Sequence, residues 1–100
     1  MIVRIFTTSV DPDDVDESSR LFETEVRPAF EKFDGCLGID WYIGIDEHSG
    51  DLVDVTAISR WDSTDAIAAA TASAEYKEAL SGLRRLFRES PIVHHYRPAG

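Results

Sequence analysis

SRWDSTDAIAAATASAEYKEAL, residues 59–80, decides the fold of this 100-residue chain. A β-type run ends on Trp61, and an aspartate-rich turn follows at once. Asp62 and Ser63 can each accept hydrogen bonds from the free amides at a helix start. Asp65 then adds negative charge where the helix dipole favours it. The apolar density falls at Ala72, Ser73 and Ala74, and Ser73 is placed to cap a second helix with Glu75 in its first turn. The stretch therefore predicts a strand, a helix broken in two, and a return to the sheet at PIVHHYR.

Working outward, IVRIFTTS (residues 2–9) is β-branched and aromatic, which predicts a first strand. Asp11-Pro12 supplies a cap and a proline for the first helical position. Val15, Ser19, Phe22, Val26, Ala29, Phe30 and Phe33 then recur at helical spacing. Pro28 removes one helical hydrogen bond and predicts a kink or weak turn near residues 24–28. Asp34-Gly35 ends that helix by a left-handed residue. CLGIDWYIGID (36–46) alternates as a strand, EHSG (47–50) reads as a hairpin turn, and DLVDVTAISR (51–60) returns. Residues 74–88 read as the second helix, with Leu80, Leu83, Leu86 and Phe87 as its stripe, and 92–97 as the last strand. The order is β-α-β-β-α-β, a ferredoxin-like α+β fold with a four-stranded antiparallel sheet, in one domain spanning residues 1–100.

Alternation divides the sheet into two faces. Val3, Ile5, Ile39, Trp41, Ile43, Val53, Val55, Ala57 and Val93 are expected beneath the helices. Arg4, Phe6, Asp40, Tyr42, Asp54, Thr56, Ile58, His94 and Tyr96 are expected opposite. A solvated sheet face is mostly polar, and this one mixes aromatics with charges of both signs. It predicts a homodimer that covers the face, with Arg4 pairing Asp40 or Asp54 inside the interface. Extra burial of this kind also suits a chain of this size.

Charge and composition exclude several partners. Nineteen acidic against ten basic residues give a formal net charge of −9. That argues against nucleic acid and against anionic membrane surfaces, since both need clustered Lys and Arg. Arg84, Arg85 and Arg88 complement a helix C-terminus instead. No apolar run approaches a membrane span, and the acidic N-terminal segment is wrong for a signal peptide. Cys36 is the sole cysteine, so no internal disulfide is expected. A cytoplasmic protein is the expectation.

With an amphipathic helix ending in DGCLG, a long hairpin and the Trp61-Asp62-Ser63 corner in hand, nearly the whole chain resembles the antibiotic biosynthesis monooxygenase family. The resemblance implies a dimeric α+β barrel in which two ferredoxin-like sheets press together. It implies three kinds of activity: cofactor-free oxidation of phenols or quinols by dioxygen, heme degradation, or no established reaction. The heme-degrading members use an Asn, a Trp and a His whose places fall on Thr7, Ala70 and Leu80 here. None of the three keeps the required chemistry, so heme degradation is disfavoured.

Phenol oxidation without a cofactor needs an apolar slot for the ring, a group that helps remove the phenolic proton, and dipoles that hold the anion. His95 and Tyr76 are the candidate catalytic residues. Thr7, Trp41, Trp61 and Arg60 are the candidate substrate contacts. His95 carries an imidazole that can accept a proton and faces the helices if the last strand alternates simply, whereas a one-residue slip would bring in His94. Each candidate also has a structural reading. His95 can be a hydrogen-bonded strand histidine, Trp41 a core residue, Trp61 the anchor of the corner, Tyr76 a packing residue, and Arg60 the partner of Asp62 or Asp54. No metal site is expected, because His94 and His95 point to opposite faces, His48 lies in the predicted turn, and the Asp11–Glu17 cluster lacks calcium-loop spacing. The expected function is a cofactor-independent monooxygenase acting on a small hydrophobic phenol, quinol or polyketide-like aromatic. The alternative is a non-catalytic dimeric module that binds a small apolar ligand. Catalysis requires a hollow beside Trp41 and His95 with room for a ring.

Overall fold

The computed structural model describes residues 1–47 and 50–100, so His48, and with it part of the expected hairpin turn, lies outside the described residues. Four strands, β1 (Ile2–Val10), β2 (Cys36–Ile43), β3 (Val53–Trp61) and β4 (Ile92–Tyr96), form one antiparallel sheet in the order β2-β3-β1-β4. The helices α1 (Val15–Leu21), α2 (Arg27–Glu31), α3 (Thr64–Thr71) and α4 (Ala74–Arg84) lie on one face of it. The ferredoxin-like α+β architecture is the expected one.

The broken helix forms for the reasons its sequence gives. Ser63 accepts from the amide of Ala66 and caps α3. Ser73 accepts from the amide of Tyr76 and caps α4. α4 stops at Arg84, short of the expected 88. Phe87 instead bridges Val10, and the Arg88 amide donates to the Ser9 carbonyl, tying this segment to the end of β1. Among the basic residues of that segment, Arg88 pairs with Asp11 at 3.6 Å.

The first helical run bends through a π-turn, Phe22–Val26, in which the Arg27 amide reaches back five residues to the Phe22 carbonyl. Pro28 stands immediately after it, at the start of α2. Its missing N–H leaves the run one hydrogen bond short, and the widened turn is how the chain absorbs that loss. Gly35 closes the run at φ +83°. A Cβ there would sit 2.5 Å from Asp62 Oδ1 and 2.6 Å from Ala66 Cβ, so the position also lets the β3–α3 corner approach closely. One turn later β2 enters with a bulge between Cys36 and Gly38.

The core joins Phe22, Val26 and Phe30 to Ile39, Trp61 and the buried side of α3 and α4. Trp61 is fully buried, donates from Nε1 to Ser59 Oγ at 2.8 Å, and packs against Phe30 and Phe33. This is the corner anchor of its structural reading.

The faces follow the expectation on β2, β3 and β4 but are inverted on β1. Phe6 registers with Ala57 and Arg4 with His95, so the even-numbered residues of β1 share the helix-covered face. Arg4 and Phe6 are buried there, while Val3 and Ile5 lie on the open face. Both faces of β1 carry apolar residues, so alternation alone could not orient it. The expectation that Arg4 is an interface charge on the open face is thereby corrected. Arg4 therefore pairs with neither Asp40 nor Asp54. Asp40 is held by Arg60 at 3.2 Å and by Arg27 at 3.7 Å.

Candidate functional site

Within the core, between sheet and helices, lies a slot to which five rings contribute. Phe22 and Phe30 come from the first helical run, Trp41 from β2, Phe6 from β1 and Tyr76 from the first turn of α4. Leu80 and Leu83 of α4 close its far side. Phe22 and Trp41 stack with centroids 5.2 Å apart and planes 18° from parallel. The Arg27 guanidinium covers the outer side of this pair, 5.0 Å from the Phe22 centroid. It donates to the Ile39 carbonyl at 2.6 Å and to Glu23. The hydrogen bond to Glu23 leads the effects that raise the Arg27 pKa, so its charge is fixed.

Three polar groups interrupt the apolar lining. Arg4, only 7% exposed, donates from Nη2 to Tyr76 Oη at 3.0 Å. Its guanidinium also lies 5.6 Å from the centroids of both the Phe6 and Tyr76 rings. The third is the indole N–H of Trp41, which is buried and has no hydrogen-bond partner among the described residues. Ser73 sets the position of the hydroxyl, because its cap holds the amide of Tyr76 and with it the start of α4.

The slot is closed. Its cavity measures about 10 Å³, which is room for about one water molecule. The hollow with room for a ring that is expected beside Trp41 and His95 is therefore absent: the slot is too small, His95 stands outside it, and a ring enters only if the walls part. Of the wall elements the π-turn is the one with irregular helical hydrogen bonding, and its Phe22 and Val26 are buried.

The expected site residues separate into three groups. Trp41 and Tyr76 line the slot together. His95 registers beside Arg4 on the same face of the sheet but is exposed and outside the lining. Thr7, Arg60 and Trp61 stand away from the slot. Thr7 meets Thr56 at 3.3 Å on the open face, Arg60 holds Asp40 rather than Asp62 or Asp54, and Trp61 belongs to the core. Of the heme-related positions, Ala70 is buried in the core and Leu80 presents an apolar chain to the slot.

Sequence reasoning missed Arg4 as a slot residue. The available signal was its place two residues before Phe6, which puts both on one face of a strand. Among the described residues no three His, Cys, Asp or Glu side chains gather as a metal site. No helix among them is long and apolar enough to cross a membrane.

The family model for antibiotic biosynthesis monooxygenases matches residues 1–81, from β1 through most of α4. The chain belongs to the antibiotic biosynthesis monooxygenase family. Its fold recurs in solved structures. A Bordetella bronchiseptica protein assigned to the antibiotic biosynthesis monooxygenases superposes with TM-score 0.84 at 23% identity, covering 98% of this chain and 96% of that one. A Nitrosomonas europaea protein assigned likewise gives 0.79 at 15% identity over the whole of both chains. A variant of SnoaB, a cofactor-independent oxygenase from Streptomyces nogalater, gives 0.75 at 17% identity, covering 99% and 93%. At these identities the likeness establishes the shared fold. No curated protein matches the chain.

Proposed function

We propose that the chain is a cytoplasmic, cofactor-independent monooxygenase that oxidises a small hydrophobic phenol or quinol with dioxygen. One observation carries the reading. The Tyr76 hydroxyl, held by Arg4 at 3.0 Å, sits at one end of a slot otherwise built of rings and aliphatic chains. Such an arrangement orients a hydroxyarene by its oxygen and leaves its ring in a dry apolar sleeve. Membership of the family and the likeness in fold to a cofactor-independent oxygenase add support.

In this mechanism the phenolic proton leaves by way of Tyr76 and His95, the latter standing beside Arg4 at the exposed end of the same sheet face. The phenolate then gives up electrons to dioxygen, and a carbon–oxygen bond forms at a ring carbon bearing hydrogen. Loss of water from the hydroperoxide yields the quinone. The balance is one phenol plus one O2 giving one quinone plus one water, with the substrate supplying all the electrons.

The subunit acts as a homodimer in this account. Val3, Ile5 and Ile58 share the open face with Tyr42, Ile92 and Tyr96, the last three each more than half exposed. That is more apolar surface than a solvated sheet normally presents.

The small cavity favours a second reading, in which the dimer binds a small aromatic without turning it over. Oxygen-electrode measurements with purified protein and a panel of naphthols and hydroquinones separate the two. The oxygenase reading expects uptake above that of heat-denatured protein, reduced at least about tenfold by His95→Ala or Tyr76→Phe, within the range typical of general acid–base groups. Saturable binding of the panel with no uptake would establish the second reading instead.

A further inference from the structure

We infer that the slot takes its aromatic ligand as an anion, with a phenolate or carboxylate oxygen against the Arg4 guanidinium. This deepens the reading of the slot as a ring-binding site and does not depend on any reaction with oxygen.

Arg4 is more than nine-tenths buried and always charged, yet no carboxylate approaches it among the described residues. Its hydrogen bond among the described residues goes to the Tyr76 hydroxyl, not to a carboxylate. A guanidinium carries five N–H donors in a planar fork, and the remaining ones meet rings or the cavity. Burying a cation without an opposite charge is costly, and folded proteins pair such charges or hold them for a ligand. The two ring faces beside it offset part of that cost but saturate none of its donors.

The other charges nearby are committed elsewhere. Asp40 is engaged by Arg60 and Arg27 on the opposite face, and Glu89 is bonded to Ser9 at the far end of β1. The cross-strand neighbours of Arg4 are Ser59 and His95, neither of which brings a negative charge. A second subunit docked on the open face meets the side of the sheet that Arg4 does not occupy. The place left for the missing anion is the slot once its walls part, where Tyr76 Oη and the Trp41 N–H, unpartnered among the described residues, supply further polar contacts. Planar anions match the guanidinium fork, and apolar rings match the rest of the lining.

Three probes with one ring system test this: 4-nitrophenol, 4-nitrobenzoate and the neutral ether 4-nitroanisole, titrated into the intact protein by calorimetry. At least one of the two anions is expected to bind about tenfold or more tightly than the ether, the scale of one charged hydrogen bond. Which anion binds better distinguishes a phenolate ligand from a carboxylate one. At a pH where free nitrophenol is half ionised, the bound form is expected to show the phenolate absorption band alone. Arg4→Met should bring both anions to the affinity of the ether, and Arg4→Lys should restore part of the difference. If Arg4→Met does not fold, the anion-to-ether ratio and the band in the unaltered protein still decide the matter. Equal affinity for ether and anions, an unchanged ratio in Arg4→Met, or no binding of any probe would overturn the inference. Anion preference without oxygen uptake would leave it standing while removing the oxygenase reading.

Discussion

Arg4 donates from Nη2 to Tyr76 Oη across 3.0 Å, joining the first strand to the first turn of the last helix. The contact spans 72 residues of sequence and lies in the buried interior. It fixes the lateral position of α4 over the sheet as well as the polar end of the slot. Tyr76→Phe removes the hydrogen-bond acceptor that a buried cation has among the described residues, and a bond to a charged group contributes about 1.5–3 kcal/mol. Urea unfolding should show a loss of that size. A loss below about 0.5 kcal/mol, the scale of ordinary surface changes, would mean that Arg4 relaxes outward to water.

Gly35 should resist replacement even by alanine. Its φ of +83° is unfavourable for an L side chain, and a methyl group would collide with Asp62 and Ala66. Together the left-handed conformation and the overpacking cost about 2–4 kcal/mol. Gly35→Ala should lower the thermal midpoint sharply or prevent folding, whereas Gly50→Ala, where a Cβ meets nothing within 4 Å, should cost only its left-handed strain.

Cys36 should behave as a sluggish thiol. Burial pushes its pKa up, against smaller opposing effects from a backbone hydrogen bond of Gly38 and from Arg60. A pKa raised in this way keeps the thiol protonated in the folded chain after the unfolded chain has begun to ionise. The unfolded state then binds fewer protons, so this contribution to stability is lost as pH rises from the ordinary thiol range through the folded value. Iodoacetamide labelling of the folded protein at pH 8 should be several-fold slower than in urea, since the thiolate is the reactive form. Equal rates would show the side chain to be open.

The open sheet face should be a subunit contact. Light scattering at micromolar concentration should give twice the mass of one chain. Ile5→Glu, at the middle of that face, should give a folded monomer with unchanged helical circular dichroism. A monomeric unaltered protein would remove the dimer from the account.

Much of the fold was written locally, and the parts that were not share a cause. Ser63 and Ser73 mark helix starts because a hydroxyl beside free amides has one good use. Gly35 marks a helix end because few other residues reach its conformation. The strand faces were legible on β2 and β3, where apolar and polar residues alternate. β1 gave no such signal, since Ile2 and Phe6 on one face compete with Val3 and Ile5 on the other. Only its pairing with Ala57 on β3 decides between them. The site inherited that ambiguity. Trp41 and Tyr76 were recognisable as ring-bearing residues over the sheet, but Arg4 was read as an interface charge. Thr7 and Arg60 were proposed for a slot that lies across the sheet from them. The exposure of His95 depends on how far α4 extends over β4, and no local pattern encodes that distance.

Oxygen consumption by the purified protein with 1,4-naphthohydroquinone and related phenols tests the central claim most directly. The account predicts uptake of one O2 per phenol oxidised, saturable in substrate and lost in Tyr76→Phe. Uptake equal to that of denatured protein across the panel, or uptake indifferent to Tyr76, would contradict it.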